Sequence, residues 1–275
     1  KGSVSAFLRS VFECAGLKTG MFTSPHLVDF RERIQVQGDM ISKEDTMRLG
    51  NRLLSMDFGV YPTMFDYCLA MALLYFKEQK CDVVILETGL GGTYDSTNAC
   101  GVPDVTVIAK IGFDHMAILG DTLAKIAAEK AGIIKHGTAL VLESQEKEAM
   151  DVLNKAAERA DIKTTKVVNL DEIRILPQKD GKQCFSYAGY DAVTMKMLGV
   201  HQYENAVAAM LAAELFFEKY FAGKKNVPER KALQHAIREG IDRTQWMGRM
   251  ELVSNDPFFL MDGAHNSNGV EALKK

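Results

Sequence analysis

Asp82-Val83-Val84-Ile85-Leu86-Glu87-Thr88-Gly89-Leu90-Gly91-Gly92 decides the fold class. From Val83 to Leu86 the run is continuously apolar. That pattern belongs to a strand covered by helices on both faces, as in a parallel sheet, and it predicts a central position in the sheet. Three more runs read as strands: Lys18 to Phe22, Asp104 to Ile111 and Thr138 to Leu142. Between them lie helical patterns at Val4 to Ala15, Ser42 to Ser55, Phe65 to Gln79, Thr122 to Ala131 and Lys147 to Ala160. Such alternation predicts βαβ units and an α/β fold. From Glu172 to Met197 the pattern changes to short segments split by Lys179-Asp180-Gly181-Lys182 and Ala188-Gly189-Tyr190-Asp191, both turn sequences, so an antiparallel meander is expected there. Two helices follow, Tyr203 to Phe221 and Pro228 to Glu239, the second with Pro at a plausible first helical position. Trp246-Met247-Gly248-Arg249 then breaks the periodicity before a fresh strand, Phe258 to Met261, which places a domain boundary near residue 247.

The 275 residues carry 33 Lys+Arg against 36 Asp+Glu and are 47% hydrophobic, which excludes disordered and fibrous classes. A formal charge of −3, with no segment that packs basic residues against aromatics, predicts no nucleic-acid partner. The longest apolar run, Ala206 to Phe217 broken by Glu214, is far short of the ~20 residues that span a bilayer, and no signal peptide opens the chain. No membrane partner is therefore expected. Five Cys, an odd number without CxxC spacing, fit a reducing cytoplasm. Residue 1 is Lys and not Met, and Gly269 to Lys275 reads as a helix cut short; a fragment of a longer protein is expected.

In an open parallel sheet ligands bind beyond the carboxyl ends of the strands. Thr23-Ser24-Pro25-His26 follows Phe22, Glu87 follows Leu86, Gly112-Phe113-Asp114-His115 follows Ile111, and Asp262 follows Met261. A hydroxyl, a carboxylate and an imidazole at one sheet edge suit Mg²⁺ or Mn²⁺. Taken singly, Ser24 and Asp114 read as caps of a following turn or helix, whereas a carboxylate ending so apolar a strand as that before Glu87 needs a partner.

Lys130 falls on the core-facing side of its helix, seven, four and three residues beyond Leu123, Ile126 and Ala127. Burial favours a neutral amine, which can act as a base, form a Schiff base or take up carbon dioxide; a snorkelling lysine does none of these and is the commoner state. Lys1-Gly2-Ser3 leads straight into a helical pattern, so the tail of a phosphate-binding loop and an ordinary helix with a basic start both fit.

In order along the chain, several motifs resemble folylpolyglutamate synthase / dihydrofolate synthase, the folate branch of the Mur ligase superfamily. They are Lys1-Gly2-Ser3-Val4-Ser5, Phe22-Thr23-Ser24-Pro25-His26-Leu27, Phe30-Arg31-Glu32-Arg33-Ile34, Glu87-Thr88-Gly89-Leu90-Gly91-Gly92, Gly112-Phe113-Asp114-His115, Glu129-Lys130-Ala131-Gly132, His201-Gln202 with Asn205-Ala206, Trp246 with Gly248-Arg249, and Asp262-Gly263-Ala264-His265-Asn266. The resemblance implies a P-loop Mur ligase central domain at 1–246, α/β with a mostly parallel sheet flanked by helices and a small antiparallel β segment. A linker and the start of a second, Rossmann-like α/β domain would follow at 247–275.

It also implies an ATP-dependent ligase that adds L-glutamate to folate or dihydropteroate through an acyl phosphate. Lys1, Gly2, Ser3, Asn205, Arg249, Asp262 and His265 would meet ATP. Ser24, Glu87 and His115 would bind Mg²⁺, with Mn²⁺ as a substitute. Lys130, His115 and Lys1 would serve catalysis, Lys130 as a carbamate. The segment from Ser24 to Arg33 matches a mobile loop over the folate, where Phe30 and Arg33 would stack and pair with a carboxylate, and Phe65 would line the same pocket. A cytoplasmic monomer is expected, and the 275 residues alone should not turn over. Thr93 stands where relatives usually have Arg, and Met247 where they have Pro.

Overall fold

The computed structural model describes residues 1–264 and 267–273. In chain order it forms α1 (Gly2–Cys14), β1 (Thr19–Phe22), β2 (Ile34–Val36), β3 (Asp39–Met40), α2 (Lys43–Leu54), α3 (Met64–Glu78), β4 (Val83–Leu86), β5 (Val105–Ile108), α4 (Met116–Leu119) and α5 (Leu123–Ala131). There follow β6 (Ala139–Leu142), α6 (Lys147–Arg159), β7 (Thr165–Val167), β8 (Arg174–Lys179), β9 (Lys182–Tyr187), β10 (Tyr190–Met195), α7 (His201–Phe221), α8 (Arg230–Arg243), β11 (Glu251–Asn255), β12 (Phe258–Met261) and α9 (Ser267–Leu273).

The α/β class is as expected. β1 and β4 pair in parallel with Met21 opposite Ile85, and β2 and β3 extend the far side antiparallel, giving the order β3-β2-β1-β4. β5, β6 and β7 form a second, wholly parallel sheet with Val107 opposite Val141. The expected meander is present as β10-β9-β8, and β11 pairs with β12.

Three expectations are corrected. β4 is an edge and not a centre: among the described residues it pairs with β1 alone, and Val84 is 38% exposed. An all-apolar run reports that both faces prefer cover, but it carries no information about lateral neighbours. Pro228 does not open α8, which starts at Arg230 after the N-cap Glu229. Lastly, β12 is not the first strand after Trp246; β11 precedes it, and its half-exposed face hid the strand pattern.

The largest core cluster gathers around α1, whose sequence GSVSAFLRSVFEC combines small residues with Phe7, Val11 and Phe12 and is buried on nearly every side. Phe12 packs on Phe216 at 4.7 Å and Phe217 at 5.6 Å between ring centres. Gly240 lets α8 approach closely, because an added Cβ there would lie 2.4 Å from Val11 Cα. In α7, Ala206, Ala208, Ala209, Ala212 and Ala213 are all buried, which allows contact on several sides at once. Among the described residues no helix is long and apolar enough to cross a membrane. This packing holds the first turn of α1 beside the carboxyl ends of β1 and β4.

Candidate active site

The first turn of α1 offers backbone N–H groups that the helix itself cannot use, which makes its start an anion-binding end. Lys1 is the N-cap and makes no side-chain cap bond. Its Nζ folds onto the glycine-rich turn after β4, donating to Thr88 O at 2.7 Å and Gly89 O at 3.1 Å. The lysine thus ties α1 to that turn. Gly2 is enclosed: an added Cβ would lie 3.1 Å from Trp246 Nε1 and 3.6 Å from Glu87 Oε1. Ser3 is buried in the same turn.

Glu87 is buried at the end of β4, and its backbone N–H continues the ladder to Phe22 O at 2.9 Å. Its Oε2 accepts from Ser24 N at 3.0 Å, so the loops after β1 and β4 meet on this carboxylate. Among the described residues His115 makes no hydrogen bond or ion pair with either Ser24 or Glu87. It caps α4 in a left-handed conformation (φ 48°), donates its backbone N–H to Asp114 Oδ1 at 2.9 Å, and has its ring half exposed with Nε2 3.8 Å from the same carboxylate. Of the expected set of Ser24, Glu87 and His115, the first two are joined by the hydrogen bond from Ser24 N to Glu87 Oε2. Among the described residues no three His, Cys, Asp or Glu side chains converge as a metal cluster. What is assembled, a buried carboxylate and a hydroxyl-bearing residue next to the start of α1, is a hard oxygen donor set of the kind Mg²⁺ takes.

Lys130 sits in the last turn of α5 beside the glycine-rich turn, and a Cβ on Gly92 would lie 3.1 Å from Lys130 Cα. Its amine makes no hydrogen bond or ion pair among the described residues. Burial pulls its pKa down, the Lys1 ammonium lowers it further, and Asp114 opposes both. The inward placement read from helical spacing is thus what the tertiary structure shows, with the amine pushed toward its neutral form.

On the other side of α1, Asn205 Nδ2 donates to Gln202 Oε1 at 3.0 Å, and Gln202 Nε2 lies 3.1 Å from His201 Nε2. Burial lowers the His201 pKa, with Asp262 and Arg249 acting on it from the linker side. Arg249 donates to Gly248 O at 2.9 Å. Asp262 accepts from Met250 N at 2.8 Å and Ala264 N at 2.7 Å, so both of its oxygens hold backbone. Arg249 and Asp262 are therefore brought to the start of α7, while His265 lies outside the described residues.

Phe30 and Arg33 lie in the loop after β1, where Arg33 Nε donates to His26 Nδ1 at 2.9 Å. Phe65 is wedged against Phe22, 5.4 Å between ring centres, and under Gly89, where a Cβ would meet its ring at 2.8 Å.

Sequence reading missed Glu143 and Glu204. Glu143 follows β6 as Glu87 follows β4, so the strand-end rule, applied to that strand as well, would have found it. It is 2% exposed; one oxygen accepts from Lys110 N at 2.6 Å and Oε1 has no partner among the described residues. Burial pushes its pKa up to about 7, and the hydrogen bond from the Lys110 N–H opposes that rise. Glu204, on α7, accepts from Ser144 N at 2.6 Å and is likewise raised by burial.

An anion-binding helix start, a strand-end carboxylate and a lysine whose pKa is lowered by burial thus lie around one sheet edge. The Mur ligase middle domain matches residues 60–213, more than half of the chain, and the chain belongs to the Mur ligase family. Within it, the chain is 40% identical over 288 residues to the dihydrofolate synthase/folylpolyglutamate synthase of Bacillus subtilis, covering 99% of this chain and 64% of that one. Among solved structures it superposes on Mycobacterium tuberculosis folylpolyglutamate synthase complexed with ADP with a TM-score of 0.85 at 30% identity, over 99% of this chain and 62% of that one. The E. coli FolC structure in complex with DHPP and ADP gives a TM-score of 0.82 at 29% identity, over 99% and 61%. The chain spans less than two thirds of the length of each of these three relatives.

Proposed function

We propose that the complete protein is an ATP-dependent ligase that joins L-glutamate to a folate or dihydropteroate carboxylate. The observation that carries this reading is the 40% identity to the Bacillus subtilis enzyme across 99% of the chain, which takes in the strand-end residues around α1. Relatives solved with ADP and DHPP support ATP and a pteridine acceptor as ligands. Residues 1–246 form the ATP-binding unit, and 247–275 the linker and start of a second domain. The protein acts as a monomer in the cytoplasm.

A carboxylate is a poor acyl donor, so the chemistry needs a leaving group. The acceptor carboxylate oxygen forms a bond to the γ-phosphorus of ATP as the bond to ADP breaks. The glutamate amine then bonds to the acyl carbon, phosphate leaves, and the amine proton passes to a base or to water. Gly2 and Ser3 at the start of α1 hold phosphate by backbone N–H groups, and Lys1 closes the glycine-rich turn against it. Asn205 positions the base, and Arg249 and Asp262 approach from the linker. Ser24 and Glu87 would hold Mg²⁺ or Mn²⁺, with His115 as a third ligand, and the ion would offset charge on the phosphates. Lys130, as the neutral amine, adds to carbon dioxide with loss of a proton and becomes a carbamate anion facing that site. Phe30, Arg33 and Phe65 serve the acceptor.

The test is phosphate release by the purified complete protein. Release from ATP that requires both glutamate and a pteroate or folate supports the reading, and a requirement for a peptidoglycan precursor overturns it. Electron density for a carbamate at Lys130 tests that assignment separately.

A further inference from the structure

The loop from Ser24 to Arg33, expected to be mobile, is organised around one carboxylate. Glu32 is 9% exposed and accepts from three consecutive backbone amides: Leu27 N at 2.7 Å on Oε2, and Val28 N at 2.9 Å and Asp29 N at 2.7 Å on Oε1. Three convergent N–H groups form a nest for an anion, here filled by the loop's own side chain. Burial pushes the Glu32 carboxyl up, but the three amide bonds outweigh it and hold it below the ordinary range. Asp29 continues the network, accepting from Arg31 N at 2.9 Å and pairing with Arg31 Nη2 at 2.7 Å. Gln35 Nε2 donates to Glu32 O at 2.8 Å, and Thr23 N to Arg33 O at 3.0 Å, which fastens the far end to β1 and β2.

The anchored loop presents a defined set of groups. Because Arg33 Nε donates to His26 Nδ1, that nitrogen is an acceptor and the ring proton sits on Nε2. The Phe30 ring meets His26 edge-on, 6.1 Å between centres. The two terminal nitrogens of Arg33 have no hydrogen-bond partner among the described residues. A guanidinium fork, an imidazole N–H and an aromatic face together suit a planar conjugated acid carrying a carboxylate.

We propose that Glu32 is the positioning residue of the acceptor loop: by gathering the amides of Leu27, Val28 and Asp29 it sets His26, Phe30 and Arg33 as a clamp before the acceptor arrives. This rests on the folate-ligase reading above. Both carboxylate oxygens are needed, since in Glu32→Gln the amide nitrogen faces a backbone N–H and one acceptor is lost. The carboxylate touches no reacting atom; it acts through Arg33 and His26, and preorganisation lowers the ordering cost of binding.

Glu32→Gln, Arg33→Ala and the double variant of the complete protein test this. In Glu32→Gln, amide hydrogen exchange at Leu27, Val28 and Asp29 should accelerate at least about tenfold while α3 and β4 are unchanged, which also shows that the variant folds. KM for the folate acceptor should rise on the order of tenfold, with KM for ATP and kcat much less affected, and Glu32→Gln should add little in the Arg33→Ala background. Unchanged exchange at residues 27–29 overturns the proposal. So does faster exchange with an unchanged acceptor KM, or a double variant whose losses simply multiply. Absence of folate-dependent turnover in the unaltered protein overturns the ligase reading and the acceptor named here, whereas the exchange result then still decides whether Glu32 orders the loop.

Discussion

Replacing Gly92 with Ala puts one methyl into a tight backbone contact of the candidate site. Gly92 is buried between the glycine-rich turn and the end of α5, where an added Cβ would lie 2.7 Å from Glu129 O, 2.9 Å from Lys130 O and 3.1 Å from Lys130 Cα. All three neighbours are main chain, so no side chain can swing away. Its φ is not in the left-handed region, so the cost is steric only. Relief requires moving Glu129 O, which accepts from Thr93 N at 2.9 Å and Thr93 Oγ1 at 3.1 Å. Overpacking costs about 1–3 kcal/mol, and a weakened hydrogen bond adds about 1 kcal/mol. A total of about 2–4 kcal/mol lowers the melting temperature by roughly 5–15 °C in a domain of this size. Gly50→Ala is the control: it lies in α2, and its Cβ would meet only Met71 Cε, at 3.5 Å, an ordinary contact. Relief of backbone entropy should stabilise that variant by about 0.5–1 kcal/mol. Thermal unfolding followed by circular dichroism measures both. A Gly92→Ala melting point equal to or above that of the unaltered protein would refute the reasoning, because it would mean that the turn and α5 are free to separate.

Lys130→Met should remove the ligase activity proposed for the complete protein and at neutral pH raise the melting temperature. The lowered Lys130 pKa means that the protonated amine costs stability below its folded pKa, and the cost fades as pH rises toward the ordinary lysine value of about 10.4, so the two melting curves should converge near pH 11. Glu143→Gln should stabilise the protein at pH 8 but not at pH 4. With the folded pKa raised to about 7, the carboxyl's favourable protonation is complete below the ordinary carboxylate range and is lost as pH rises through 7, a difference of about 3 kcal/mol at most. Chemical denaturation at the two pH values measures it, and equal gains at both would exclude burial as the cause.

The strands β1, β4, β5 and β6 were legible because each is a short apolar run bounded by polar residues, and the β8 to β10 meander because Asp180-Gly181 and Gly189 punctuate it. β2, β3 and β7 were not. β7 is exposed along all three residues, and β2 gains its burial from antiparallel pairing with β1 and β3 and from packing of Ile34 and Val36, with Gln35 buried where it accepts from Arg9 and donates to Glu32 O. The places of Ser24 and Glu87 just beyond strands, and the inward face of Lys130, followed from strand ends and helical spacing. That Lys1 Nζ bonds two carbonyls of the glycine-rich turn and that His115 lies against Asp114 was not legible, since the bonds available to a long or exposed side chain depend on what folds beside it.

The sequence by itself determined the α/β class, the order of the main helices and of the apolar strands β1, β4, β5 and β6, and the side of α5 on which Lys130 lies, because burial along one element is written in its own periodicity. Only the tertiary structure decided that β4 is an edge, that Glu143 is sealed at the end of β6, and that Glu32 closes its own loop. Those depend on contacts between segments far apart in the chain or on the path of a loop without period, and no local pattern of apolar and polar residues encodes either.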